Sequence, residues 1–209
     1  MKYTPLQPDE IRQKVYQEAK RQFLEKGLTE TEMKKLAEAV GIGRTTLYRY
    51  YPGLEHLAYK AATEFWDLLF EEIREENVDP EKTGYENLVM FYGTLVERLE
   101  LMPRELHFFR QFEALYELRD FSDIPEAIEF DSHRQRVIDL EEKLVQMGRE
   151  DGSLRTDLDG ISYLAGIGHA LFGYEELSSR WVGKPFQFDG KMLRWIAETL
   201  LENLRKKPA

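Results

Sequence analysis

Apolar residues recur along this chain at three- and four-residue intervals almost from end to end. Ile11, Val15, Ala19 and Phe23 form one row, the spacing that stacks side chains on a single face of an α-helix. Pro8 with Asp9 supplies a start and Gly27 a stop, which predicts a helix over residues 9–26. Met33, Leu36, Ala37 and Val40 repeat the pattern. Gly41 ends it, because glycine takes the left-handed conformation without a Cβ penalty. This second helix has two candidate starts: Thr29 with Glu32 as a capping box, or Thr31 as the cap. Ile42 makes a corner. A third, short pattern over residues 44–51 carries two arginines, no acid, and several hydroxyls and rings. Pro52-Gly53 signals a turn. Leu57, Ala61, Phe65, Leu68 and Leu69 then predict the buried face of a fourth helix over about residues 54–76, followed by a linker over 77–83 containing Asp79-Pro80.

The rest of the chain reads as helices at about 84–101, 104–119, 124–150, 158–180 and 189–206. Pro103 and Pro125 sit near helix starts, and the stretches 150–152 and 182–185 mark breaks. No strand-like alternation of useful length occurs, and there is no internal repeat. The expected class is all-α: an N-terminal three-helix head, residues 1–53, and a larger C-terminal helical domain, residues 54–209.

Two helices meeting at a short glycine-containing turn form a helix-turn-helix, whose second helix enters the major groove of double-stranded DNA. Neighbouring positions on the third helix share a face, which sends Arg44, Thr45, Tyr48 and Arg49 outward. Leu47 and Tyr51 then point inward, toward Leu36, Ala37 and Phe23. Guanidinium forks at Arg44 and Arg49 suit guanine edges or phosphates, and Thr45 can meet a thymine methyl. The hydroxyls of Thr46, Tyr48 and Tyr50 suit phosphate oxygens, and helix N-termini at Thr31 and Gly43 would offer backbone N–H groups to phosphates.

Charge sharpens this picture. The chain of 209 residues has a net charge of −10, which argues against a general nucleic-acid coat protein. Residues 1–60, however, carry 11 Lys and Arg against 8 Asp and Glu, a net of +3, whereas the remainder carries 18 against 31, a net of −13. A basic head on an acidic body suits docking on DNA by one end only. Apolar content of 42% supports a sizeable core. With no cysteine there is no disulfide, thiol nucleophile or thiolate metal site. No signal-like h-region or run of about 18 apolar residues occurs, so a soluble, cytoplasmic protein without a membrane partner is expected.

Enzyme chemistry finds no foothold. None of His56, His107, His133 and His169 has an acid three residues before it, as a di-iron bundle requires. Glu129 and His133 with Asp131 read as a charged helix surface rather than a metal site. Nucleotide-binding, nucleophile-elbow and zinc-protease motifs are absent. No cofactor or metal is expected.

The head resembles the tetracycline-repressor (TetR) family of transcription regulators. Thr31, Leu36, Ala37, Gly41, Ile42, Leu47, Tyr48, Tyr50, Tyr51, Glu55 and Leu57 match the family's spaced pattern, and Ala19, Phe23 and Gly27 fit its preceding helix. The match spans roughly residues 9–60. Three positions depart from it: Gly43 where Ser is common, Leu54 where Lys is common, and Glu32 where a second Thr is common. Each departure removes a phosphate-facing group or adds negative charge near the DNA backbone.

The resemblance implies a ligand-responsive repressor that binds a palindromic operator as a homodimer, with Tyr48 as a backbone clamp. The alternative is a TetR-like helical sensing or interaction protein with weakened DNA binding. The family dimerises through its last two long helices. Here that places Leu164, Gly168, Leu171, Phe172, Leu193, Ile196 and Leu200 at the interface, with small residues Ala165, Gly166, Ala170 and Gly173 permitting close approach and Trp195 adding apolar area. The competing reading turns these residues into the protomer's own core. The middle helices are rich in rings, Phe109 and Phe121 among them, near Arg110 and Glu113. Phe91, Tyr92, His107, Phe108, Phe112 and Tyr116 are candidates for a small-molecule effector pocket suited to an apolar or aromatic ligand, with ordinary aromatic packing as the competing reading. In the family, effector binding moves the fourth helix and resets the separation of two heads.

Overall fold

The structure is a computed structural model, which describes residues 7–117, 123–179 and 190–207. The described residues form α-helices: α1 Pro8–Lys26, α2 Met33–Val40, α3 Arg44–Tyr50, α4 Leu54–Leu69, α5 Gly84–Leu101, α6 Pro103–Phe112, α7 Pro125–Glu150, α8 Gly160–Ser179 and α9 Gly190–Glu202. A 3-10 turn covers Glu75–Asn77 and a π turn Glu113–Glu117. Extended pairing among the described residues is limited to one bridge between Leu154 and Arg205, so the fold is all-α.

Several expected boundaries move, each for a local reason. Helix α4 stops at Leu69 rather than running to residue 76. Arg98 on α5 donates Nε–H to the Leu68 carbonyl at 3.1 Å, satisfying one of the carbonyls that a helix end leaves open. The acids Glu71 and Glu72 beyond it oppose the negative end of the helix dipole. Leu68, expected inside, is 38% exposed, and Ala58 and Ala62 are buried instead. Helix α6 passes into the π turn at Glu113, short of residue 119. Helix α9 ends at Glu202 because the chain after it pairs with residues 153–155: Arg155 N donates to Leu204 O at 3.0 Å, and Lys206 N to Ser153 O at 2.9 Å. The break expected at residues 182–185, and Phe121, lie outside the described residues.

The chain packs as two compact units. Unit 1 is Met1–Phe65 with His107–Asp131, and unit 2 is Trp66–Leu106 with Ser132–Ala209. Packing thus gathers residues 107–131 with the head, whereas the expected division at 53/54 marks the end of the helix-turn-helix motif in sequence. The core of unit 1 is aromatic. Phe108 sits 5.3 Å from Phe23 and 5.2 Å from Phe65 by ring centroids, and Phe112 stands edge-on to Tyr59 and Phe130. Unit 2 is mainly aliphatic: Leu88, Leu95, Val96 and Leu99 of α5 pack with Leu164, Ile167 and Leu171 of α8 and Leu193, Ala197 and Leu201 of α9.

Candidate nucleic-acid interface

The head is built on two glycine-determined turns. Gly27 ends α1 at φ 90°. Its carbonyl accepts the Thr31 hydroxyl at 3.0 Å, and Thr31 is 5% exposed. Thr31 is therefore turned inward, where its hydroxyl closes the α1–α2 turn. Neither expected cap forms on α2: the N-cap is Glu32, with no side-chain cap bond. Gly41 ends α2 in the left-handed region at φ 76°, with no atom within 4 Å of where a Cβ would stand. The backbone conformation alone explains the glycine. Ile42 N returns to Ala37 O at 3.0 Å, turning the chain into α3.

Helix α3 is seven residues long and held by two buried anchors. Leu47 is fully buried and Tyr51 nearly so, and the Tyr51 hydroxyl donates to Arg12 O at 3.4 Å. With Leu36, Ala37 and Phe23 also buried, the inward half of the helix is fixed as its spacing implies. Arg44, Thr45, Tyr48 and Arg49 are exposed, Tyr48 at 48%; Thr46 and Tyr50 are half-buried at the edge of the same surface, and Gly43 caps the helix from an extended conformation. The Arg49 and Arg12 guanidinium groups lie 5.2 and 5.5 Å from the Tyr50 ring, a cation–π arrangement that orients both toward the helix end.

Electrostatics keep this face positive. Helix α3 carries no acid. The departure at Glu32 is compensated, since Lys35 pairs with it and its hydrogen bond holds the carboxyl below the usual range. Lys34 stands 3.9 Å from Glu38. Helix α4 is fixed beneath by Glu64, which receives both the Tyr16 hydroxyl and the Lys20 ammonium from α1. His56 Nδ1 lies 2.9 Å from Glu126 Oε2.

The other candidate residues disperse. Phe108, Phe112 and Tyr116 are buried as core of unit 1. His107 is exposed on α6, with its Nε2 2.8 Å from Gln111 Nε2. In unit 2, Phe91 and Tyr92 are buried; Phe91 borders an open groove of about 620 Å3 together with Met90, Thr94, Leu140 and Leu144. Of the expected interface residues, Leu164, Leu171 and Leu193 are fully buried within the protomer. Leu164 and Leu171, seven residues apart on α8, and Leu193 on α9 line the inward faces of these helices, in line with the competing reading as protomer core. Phe172, Ile196 and Leu200 are half-buried against the same core, and Gly168 is half-buried with open space at its Cβ position. Solvent instead meets Ser162, Ala165, Gly166 and His169 on α8, and Met192, Trp195 and Thr199 on α9, with Trp195 61% exposed.

Two residues escaped the sequence reading. Gln111 accepts Leu28 N at 2.5 Å and Thr29 N at 3.2 Å, from 83 and 82 residues away. Glu141 meets the Tyr92 hydroxyl at 2.7 Å inside unit 2. No local periodicity marks either, since both partners are distant in the chain.

Comparisons with known proteins agree with this geometry. Residues 15–59 match the family model described as bacterial regulatory proteins, tetR family. The chain is 27% identical over 158 residues to the HTH-type transcriptional repressor KstR2 of Mycolicibacterium smegmatis, covering 75% of this chain and 73% of that protein. Among solved structures, a tetR-family regulatory protein from Rhodococcus RHA1 aligns with a TM-score of 0.66 at 16% identity, over 93% of this chain and 96% of the other. The ketosteroid transcriptional regulator KstR2 of Mycobacterium tuberculosis aligns at 0.60 with 18% identity, over 94% and 95%. A transcriptional regulator from Saccharomonospora viridis, solved in complex with choline, aligns at 0.66 with 15% identity, over 95% and 100%. The structural likenesses establish the shared fold; the family match falls on α1 to α4, where the outward arginines, threonine and tyrosine stand on a buried anchor. Residues 15–59 thus match the TetR family of bacterial regulatory proteins, and the chain as a whole is similar in sequence to a transcriptional repressor and in fold to TetR-family regulators.

Proposed function

We propose that this regulator is a ligand-responsive repressor, not an enzyme, that acts in the cytoplasm as a homodimer on a palindromic operator. The observation that carries the DNA-reading assignment is the outward set Arg44, Thr45, Tyr48 and Arg49 on an acid-free helix fixed by buried Leu47. Arg44 and Thr45 are the base readers. Tyr48, Thr46, Tyr50 and Arg49 contact phosphates, as does the N-terminus of α3 at Gly43. Thr31 supports the turn rather than the DNA. Two such helices, placed about 34 Å apart by a dimer, would read two half-sites one helical turn apart.

The exposed faces of α8 and α9 support the dimer assignment. Ala165 and Gly166 allow close helix approach, and Trp195 and Met192 offer exposed apolar surface. An apolar or aromatic effector is proposed for the helical body. The resemblance to a ketosteroid regulator favours that class, and the choline-bound neighbour shows that proteins of this fold accept small organic ligands. Among the described residues, no helix is long and apolar enough to cross a membrane.

The test is selection of bound fragments from a random DNA pool by purified protein at two salt concentrations. Recovery of an inverted repeat supports the proposal. Failure to enrich any motif, in a folded, dimeric, ligand-free sample, would favour the sensing protein with weakened DNA binding.

A further inference from the structure

Gln111 sits on α6, yet its side chain serves the turn between α1 and α2. Its Oε1 accepts the amides of Leu28 and Thr29, at 2.5 and 3.2 Å. These two N–H groups lie in the turn beyond α1, and among the described residues no backbone carbonyl accepts either of them. The fit is close: a Cβ on Gly27 would stand 2.8 Å from Gln111 Nε2 and 2.9 Å from Oε1. The amide orientation follows from its partners. With Oε1 engaged by two donors, Nε2 lies 2.8 Å from His107 Nε2.

Gln111 does not act alone on its helix. Phe108, three residues earlier and therefore on the same face, is fully buried between Phe23 of α1 and Phe65 of α4. One face of α6 thus holds α1, α4 and the turn that leads into α2, the helix on which α3 is seated. The π turn Glu113–Glu117 begins two residues after Gln111, and such turns are frequent at functional sites.

We propose that Gln111 is a positioning residue for DNA reading: by holding the Leu28 and Thr29 amides it makes the pose of the helix-turn-helix depend on helix α6. This rests on the DNA-reading role assigned above. A displacement of α6 moves Phe108 and Gln111 together, frees the two amides and loosens the seat of α2 and α3. Operator affinity then falls with the fraction of heads still correctly posed, since apparent affinity scales with the competent population.

Two substitutions separate positioning from bulk stability. Gln111→Met keeps length and volume and removes the acceptor; Gln111→Glu keeps an acceptor oxygen at the same reach. Amide hydrogen exchange of full-length protein is expected to accelerate at Leu28 and Thr29 by roughly tenfold in Gln111→Met and to stay near wild type in Gln111→Glu. Affinity for a fragment enriched by the wild-type protein is expected to fall roughly tenfold in Gln111→Met, with α8 and α9 exchanging as before, and to be largely retained in Gln111→Glu. Unchanged exchange at the two amides would overturn the assignment. So would faster exchange with undiminished affinity, or equal losses in both variants. Wild-type protein that enriches no DNA, with the amides still released in Gln111→Met, would instead overturn the DNA-reading role, and the coupling with it, while leaving the contact itself established.

Discussion

The Tyr92 hydroxyl lies 2.7 Å from Glu141 Oε1 and also 3.1 Å from the Leu164 carbonyl, deep in the core of unit 2. The one hydroxyl proton is either shared between these acceptors or given to one of them. A Glu141 carboxyl that keeps its proton can donate to Tyr92, which leaves the Tyr92 proton for Leu164. Burial pushes the Glu141 carboxyl above its usual range, outweighing the Tyr92 hydrogen bond, which acts to lower it.

The consequence is a stability that depends on pH with a definite sign. The folded chain retains a proton that the unfolded chain releases near the ordinary carboxylate value of about 4.3. The Glu141 contribution is therefore fully present below that value and is lost as pH rises through the elevated folded value. Glu141→Gln, which donates to Tyr92 without titrating, is expected to flatten this loss and to raise the unfolding midpoint at pH 8 by about 2–4 °C for each kcal/mol recovered. Thermal unfolding of both proteins from pH 4 to pH 8 checks this. Parallel pH curves would contradict it.

Tyr48 and Arg44 are expected to differ in kind. Tyr48→Ala should weaken binding uniformly across DNA sequences, because a hydroxyl on phosphate carries no sequence information. Arg44→Ala should cost about 1–3 kcal/mol on the preferred site and relax the base preference there. Competition binding with single-base variants of an enriched fragment separates the two. If Tyr48→Ala bound as wild type, the docking assignment would be wrong.

Gly41 offers a test of backbone strain without steric interference. With φ at 76° and open space where a Cβ would stand, Gly41→Ala should cost about 1–2 kcal/mol from conformation alone, and Gly41→Asn less. Denaturant midpoints give the answer. Gly27→Ala should cost more, since its Cβ would also press on the Gln111 amide. Gly27 also sits at φ 90° and ψ 160°, a region essentially restricted to glycine, so equal effects at the two sites would contradict the added cost.

Trp195 is the residue to change for self-association. It is 61% exposed, with Met192 near it in sequence at 42%. Trp195→Asp is expected to weaken a dimer by roughly 30-fold or more, equivalent to about 2 kcal/mol for a buried aromatic anchor. Sedimentation across a concentration series would reveal it, and an unchanged dimer would place the interface elsewhere.

Most helices were legible because apolar spacing and glycine stops act locally. Helix α5 begins and ends at the expected residues, and the inward anchors Leu47 and Tyr51 follow directly from their period. What sequence could not supply were decisions made by distant partners. The end of α4 depends on Arg98, 30 residues beyond Leu68. Thr31 looked like a cap but closes a turn from within. Spacing marked Leu164, Leu171 and Leu193 as apolar helix faces, yet periodicity alone does not say which apolar face meets the protomer and which meets a partner. The aromatic residues posed the same problem, and Phe108 and Phe112 resolve it by packing as core.

Binding of wild-type protein to an enriched fragment and to a scrambled control, titrated across salt, probes the DNA-reading helix itself. The preferred fragment should bind at least roughly a thousandfold more tightly than the control, and both affinities should fall steeply as salt rises. Equal affinity for the two, or binding indifferent to salt, would contradict sequence reading by α3.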